Sequence, residues 1–123
     1  RHFQQFVKNV KNGVQFIALN GKATPLGFAT LYFPFSSVSA EIFCLLNDLY
    51  VKEDSRNEGV GTALVRHCVK YARESGFESL EWHTEKSNNI ARKMYDKLGA
   101  EAKEWMIYKL PTAEIPELKN PNS

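Results

Sequence analysis

The chain has little from which to build a metal site, a disulfide framework or a membrane anchor. Cysteine occurs only twice in 123 residues, at Cys44 and Cys68, with no Cys-x-x-Cys pair, so no zinc site and no other metal is expected. Both cysteines fall in apolar-patterned segments and read as buried free thiols. That fits a cytoplasmic setting, while two cysteines still leave room for one disulfide. No apolar run approaches ~18 residues, so no membrane-spanning helix is expected. The opening "RHFQQFVKNV" lacks the long apolar stretch of a signal peptide. Charge of one sign is also scarce. The formal net charge is +2 and the basic residues are scattered, which argues against a dedicated nucleic-acid binder with its basic stripe.

What is present suits one globular domain. Hydrophobic residues make up 43% and charged residues 24%. We place that domain at residues 1–110 and read 111–123, with prolines at 111, 116 and 121, as an extended or loosely docked tail. Phe3, Phe6, Val7 and Val10 stand at helical spacing, so 1–12 is expected to be a helix stopped by Gly13. "VQFIALN" (14–20) and "LGFATLYF" (26–33) read as an antiparallel pair joined through Asn20-Gly21. "SSVSA" is a polar connection, and "EIFCLLNDLYV" (41–51) is a long strand for the middle of a sheet.

A charged loop, 52–59, leads into a helix over 60–74, marked by Val60, Ala63, Leu64, His67/Cys68 and Tyr71/Ala72. "FESLEWHTE" (77–85) is expected to be a strand with Leu80, Trp82 and Thr84 on one face and Glu81, His83 and Glu85 on the other. Residues 88–98 pattern as an amphipathic helix with Ile90, Ala91, Met94, Tyr95 and Leu98 on its apolar side, capped by Gly99. "EWMIYKL" (104–110) reads as a last strand. Strand–helix–strand crossovers imply an α/β fold with a partly parallel sheet covered by helices.

The stretch "SRNEGVGTAL" (55–64) places Gly59 and Gly61 between the longest strand and a helix. A helix N-terminus offers free backbone N–H groups and partial positive charge, and glycine lets an anion come close. Arg56–Thr62 therefore reads as a pyrophosphate cradle. The plainer alternative is a turn whose glycines supply unusual backbone angles. A dinucleotide fingerprint is absent, because Leu64 stands where the third glycine is needed, and so is a P-loop Gly-Lys-Ser/Thr.

Arg56-Asn57-Glu58-Gly59-Val60-Gly61 resembles the acetyl-CoA-binding motif of the GNAT superfamily, Gln/Arg-x-x-Gly-x-Gly/Ala. Asn88-x-x-Ala91-x-x-x-Tyr95-x-x-x-Gly99-Ala100 resembles that superfamily's later helix motif, and "LNDLYV" (46–51) the strand before the loop. The likeness runs over roughly residues 14–110. It implies a mixed, mostly antiparallel sheet with a parallel central pair and helices on both faces. The family's first strand and first helix have no counterpart ahead of residue 1, and residues 1–12 match the helix before its second strand.

The resemblance implies acetyl transfer from acetyl-CoA to a primary amine. It places the backbone of Leu49, Tyr50 and Val51 against the pantetheine arm like an added strand. It places Arg56, Asn57, Glu58, Gly59, Val60, Gly61 and Thr62 around the pyrophosphate, with Asn88, Ala91 and Tyr95 on the cofactor's other side. A backbone N–H near Leu49–Tyr50 is positioned to stabilise the oxyanion. Tyr95 is the implied acid for the leaving thiolate: a free thiol titrates near ~8.5 and a tyrosine near ~10. The plain reading of Tyr95 is a core tyrosine.

An amine titrating near ~10.4 needs a base or a water relay. The polyamine-acetylating branch often has Glu where this chain has Asn47. Asp48, Glu81 and His83 remain candidates, against plain readings as a structural acceptor and a solvated strand face. "LEW" before Asn88, "YDKLGA" and "EWMIYKL" resemble polyamine and amino-acid acetyltransferases. We therefore expect a small amine held by Asn47, Asp48, Glu81, Trp82, His83 and Glu104, with Glu85 adding negative charge, and a homodimer. The alternatives are protein-lysine acetylation, a non-catalytic acetyl-CoA-binding or regulatory module, or an interaction domain.

Overall fold

A computed structural model describes residues 4–10, 12–104 and 106–114 of the protein. Its strands are β1 (Gln4–Val10), β2 (Gly13–Leu19), β3 (Pro25–Tyr32), β4 (Phe35–Ser36), β5 (Glu41–Ile42), β6 (Cys44–Val51) and β7 (Leu80–Glu81). Its helices are α1 (Val60–Glu74) and α2 (Asn89–Lys97). Five strands make one sheet in the order β1-β2-β3-β6-β7, while β4 and β5 pair separately across the polar connection, so the long strand expected over 41–51 is broken at Phe43 and only Cys44–Val51 joins the sheet. Only β6 and β7 run parallel; the other neighbours in the sheet are antiparallel. The expected mixed class, mostly antiparallel with one parallel pair and two helices, is observed.

The turn chemistry explains the antiparallel half. Asn20 closes the β2–β3 loop by accepting from the amides of Lys22 (2.8 Å) and Thr24 (3.0 Å) through Oδ1. The β1–β2 hairpin closes between Val10 and Gly13, with Asn12 at φ 62°. A Cβ at Gly13 would collide with the Leu31 carbonyl oxygen, so glycine there permits close approach to β3.

Register divides the sheet into two faces. Val14, Phe16 and Ala18 of β2 share a face with Ala29 and Leu31 of β3 and with Leu46 of β6, and all six are buried. Helix α1 covers that face with Val60, Leu64, Val65, Cys68 and Ala72, an i, i+4, i+5, i+8, i+12 stripe. Each fully buried large aliphatic stabilises the fold by roughly 1.5–3 kcal/mol. Met94 and Leu98 of α2 join this same cluster. On the opposite face Ile17 and Phe28 are half-buried and Tyr50 is exposed. The expected covering by helices on both faces is therefore seen on one face only among the described residues.

Several local expectations are overturned. Residues 4–10 are strand, not helix: seven consecutive pairings with β2 override the helical spacing, and phenylalanine and valine are residues that strands favour. The match of 1–12 to a family helix falls with it, and Gly13 begins a strand rather than ending a helix. Residues 1–3 and 11 lie outside the description. The strand expected over 77–85 shrinks to two residues, pairing Cys44 with Leu80 and Leu45 with Glu81. Ile90 is 84% exposed and stands apart from the apolar side of α2. The described residues of 104–110 form no strand, and Met106, Ile107, Tyr108 and Leu110 are exposed. Alternation alone does not make a strand there: among the described residues no neighbouring strand pairs with it. In the tail, Thr112–Glu114 form one 3-10 turn, and 115–123 lie outside the description.

Candidate active site

Strand β6 is the axis of the site. On one side it pairs with β3 from Leu45 to Val51; on the other it meets β7 only through Cys44 and Leu45. Thr30 pairs with Asp48 and Leu31 with Leu46, so Asn47 is an inserted bulge residue. A bulge bends its strand and sharpens the local twist. Here it sits just where β6 and β7 part. From Leu46 to Val51 the far edge of β6 has no strand beside it among the described residues, so main-chain groups are open to pairing there, apart from the Val51 carbonyl, which accepts from Arg56.

A cleft of about 540 Å³ opens along this seam. Asn47, Asp48, Leu49, Tyr50, Trp82, His83, Asn88 and Tyr95 of the expected site all line it, together with Phe28, Leu46, Thr84 and Glu85. Asn47 Nδ2 donates to Asp48 Oδ2 at 3.1 Å, which fixes that carboxylate. The Tyr95 ring packs edge-on against Trp82, with centroids 5.0 Å apart and planes at 63°. Trp82 through Glu85 all border the cleft, so the expected alternation between two faces ends where the chain leaves the sheet after Glu81. Glu81 and Glu104 are exposed and do not line the cleft. Phe28 was missed because its place depends on register: it lies opposite Tyr50, a pairing with no local signature in the sequence.

Beyond the end of β6 lies the glycine loop. Arg56 Nε donates to the Val51 carbonyl at 3.1 Å and ties the loop to the strand. Asn57 has φ 66°, and Gly59 has φ 85° as the N-cap of α1. Glycine takes that left-handed conformation without strain. Among the described residues no side chain caps α1, and its first turn holds no acid. Its leading N–H groups are thus served by neither of the usual partners. Arg56, Asn57, Glu58 and Gly59 are exposed, and Gly61 and Thr62 are half-buried. The Val60 side chain is buried in the core, which leaves only its backbone for a ligand.

Gly61 has no positive φ, and a Cβ there would sit 3.6 Å from both Met94 Sδ and Val51 Cγ2, ordinary contact. Nothing among the described residues demands glycine at 61, whereas close approach of an anionic group would. Asn88 Oδ1 accepts from the Ala91 amide at 3.2 Å and caps α2, so this side chain carries a structural duty beside the cleft. The Ala100 amide donates to the Tyr95 carbonyl and the Gly99 amide to Asp96, a Schellman ending that fixes the last turn below Tyr95. These features fit a thioester cofactor: a strand edge for an amide-bearing arm and an uncapped helix start for its phosphates.

The sequence profile of the acetyltransferase (GNAT) family matches residues 1–100. The chain belongs to that family. It is 40% identical over 76 residues to the uncharacterized N-acetyltransferase YhfO of Bacillus subtilis, covering 62% of this chain and 51% of that protein. It is 34% identical over 73 residues to the D-amino-acid N-acetyltransferase HPA3 of Saccharomyces cerevisiae, covering 59% and 45%. Among solved structures, a probable acetyltransferase superposes with TM-score 0.70 at 34% identity, covering 85% of this chain and 71% of that one. The chain spans about half the length of these curated relatives.

Proposed function

We propose that this GNAT-family chain carries the acetyl-CoA site and the acid–base groups of an N-acetyltransferase acting on the primary amine of a small molecule. The observation that carries the reading is the seam itself. One open strand edge runs from a cleft holding Asp48 and Tyr95 to an uncapped, glycine-led helix start.

Acetyl-CoA supplies an activated acyl group on a thioester. Leu49, Tyr50 and Val51 bind its arm through their main chain, as an added strand would be bound. Val60, Gly61 and Thr62 turn their N–H groups to the phosphates, with Arg56 adding positive charge. Asp48 draws the cationic amine into the cleft, and Asp48 or His83, directly or through water, takes the proton that the attacking nitrogen must lose. The nitrogen–carbon bond forms as the carbon–sulfur bond breaks, and Tyr95 Oη gives the departing sulfur its proton. Trp82 keeps the Tyr95 ring in place from its edge. The yeast relative, a D-amino-acid N-acetyltransferase by name, supports a small acceptor.

A direct test follows thiol release from acetyl-CoA with a panel of small amines, in wild type and Tyr95→Phe. Loss of a general acid lowers turnover by roughly 10²–10⁴-fold, with acetyl-CoA affinity retained. Unchanged turnover in Tyr95→Phe removes the tyrosine from its role. Binding of acetyl-CoA without turnover of any amine favours a cofactor-binding module, as the Asn47–Asp48 hydrogen bond, which occupies one carboxylate oxygen, would suit.

A further inference from the structure

Asp48, Tyr50 and Lys52 follow one another at every second position, and the register of β6 puts Asp48 and Tyr50 on the sheet face away from α1. Phe28 pairs with Tyr50 on the same face, their ring centroids 5.7 Å apart. These two rings border the cleft and also a shallow groove of about 190 Å³, lined further by Gln15, Ile17, Pro25, Gly27 and Lys52. The surface has three zones. Asp48 and Glu85 make the cleft end acidic, the rings and Ile17 make the middle apolar, and Lys52 makes the far end basic. Asp48 and Lys52 lie roughly 13 Å apart along the strand at ~3.3 Å per residue. Among the described residues Lys52 has no ion pair to satisfy it.

Resting on the acetyltransferase reading, we infer that Lys52 and the Phe28–Tyr50 pair select the acceptor: a primary amine joined by an apolar stem of several carbons to a carboxylate. The amine meets Asp48 and Glu85, the stem covers the two rings, and the carboxylate reaches Lys52. A diamine of the same length fits the first two zones and meets like charge at the third, so the surface disfavours polyamines. Lys52 is suited to be varied, because its loop contacts are main-chain: its amide donates to the Leu26 carbonyl, and its carbonyl accepts from Ser55.

Three acceptors of matched length test this: ε-aminocaproate, hexylamine and hexamethylenediamine. Each is assayed for kcat/KM with wild type, Lys52→Arg and Lys52→Glu. Ratios between acceptors within one variant do not depend on how much of that variant is folded. Wild type is expected to prefer ε-aminocaproate over the diamine by about tenfold or more, on the order of one well-placed charge contact. Lys52→Arg should keep that order and Lys52→Glu should reverse it. Wild-type turnover of hexylamine with an acceptor order indifferent to Lys52→Glu overturns the inference and leaves the acetyltransferase reading standing. Absence of turnover with all three acceptors while other small amines are acetylated removes the acceptor assignment alone; absence of turnover with every amine removes the acetyltransferase reading and the assignment with it.

Discussion

The two flanks of β6 are built differently. On the β3 side, neighbouring strands share six or seven pairs and α1 seals the face with five buried residues. On the β7 side the pairing lasts two residues, and α2 has no fully buried residue. The first flank is a packed core; the second leans on it through Met94, Leu98 and Trp82. The contrast underlies the proposed site: β6 is held firmly on one edge and released on the other, so it presents main-chain groups in a fixed geometry.

The largest expected effect lies in the packed flank. Leu64→Ala removes a side chain with 0% exposure and should destabilise by about 2–5 kcal/mol in denaturant unfolding. A loss as small as that from a surface change in α2 would erase the contrast. Next comes alkaline sensitivity. Burial pushes the Cys68 thiol up to about 12 from its ordinary 9.0, with Cys44 close by adding to the shift. The folded thiol keeps its proton where the unfolded one has lost it. This contribution is therefore intact below about pH 9 and drains away as pH rises towards 12. The urea midpoint should fall between pH 8 and pH 10, and Cys68→Ala should flatten that slope while lowering stability at pH 8. An unflattened slope would place the effect elsewhere.

Smaller effects belong to the open flank. Asn88→Ala deletes the α2 cap and should cost about 1 kcal/mol, visible as faster amide exchange confined to α2. Uniform exchange across the sheet would mean the two flanks unfold as one. Ile90→Ala, at an exposed position, should stay within about 0.5 kcal/mol of wild type by the same unfolding assay.

How much could be read from the sequence follows the same division. The β2–β3 pair, β6, α1 and the glycine loop were legible because strong local signals agreed with the packing: Asn20-Gly21, the apolar stripe from Val60 to Ala72, and Gly59 at the helix start. The cleft was legible through Asp48, Trp82, Asn88 and Tyr95. What failed depended on partners. Residues 4–10 form a strand only because β2 is beside them. "FESLEWHTE" and "EWMIYKL" alternate as strands do, yet pairing, which no periodicity encodes, decides whether they are. Phe28 reached the site through register, and the bulge at Asn47 appears only when β3 and β6 are laid together.

The open edge of β6 and the start of α1 are proposed together as the acetyl-CoA site. Calorimetric titration of wild type and Gly61→Glu with acetyl-CoA tests it most directly. A glutamate in the first turn suits the helix dipole, so the variant should melt close to wild type. Its Cβ makes ordinary contact with Met94 and Val51, while its charge and bulk stand in the first turn of α1, the place proposed for the phosphates. Wild type should bind saturably and the folded variant not at all; equal affinity in both would place the cofactor elsewhere.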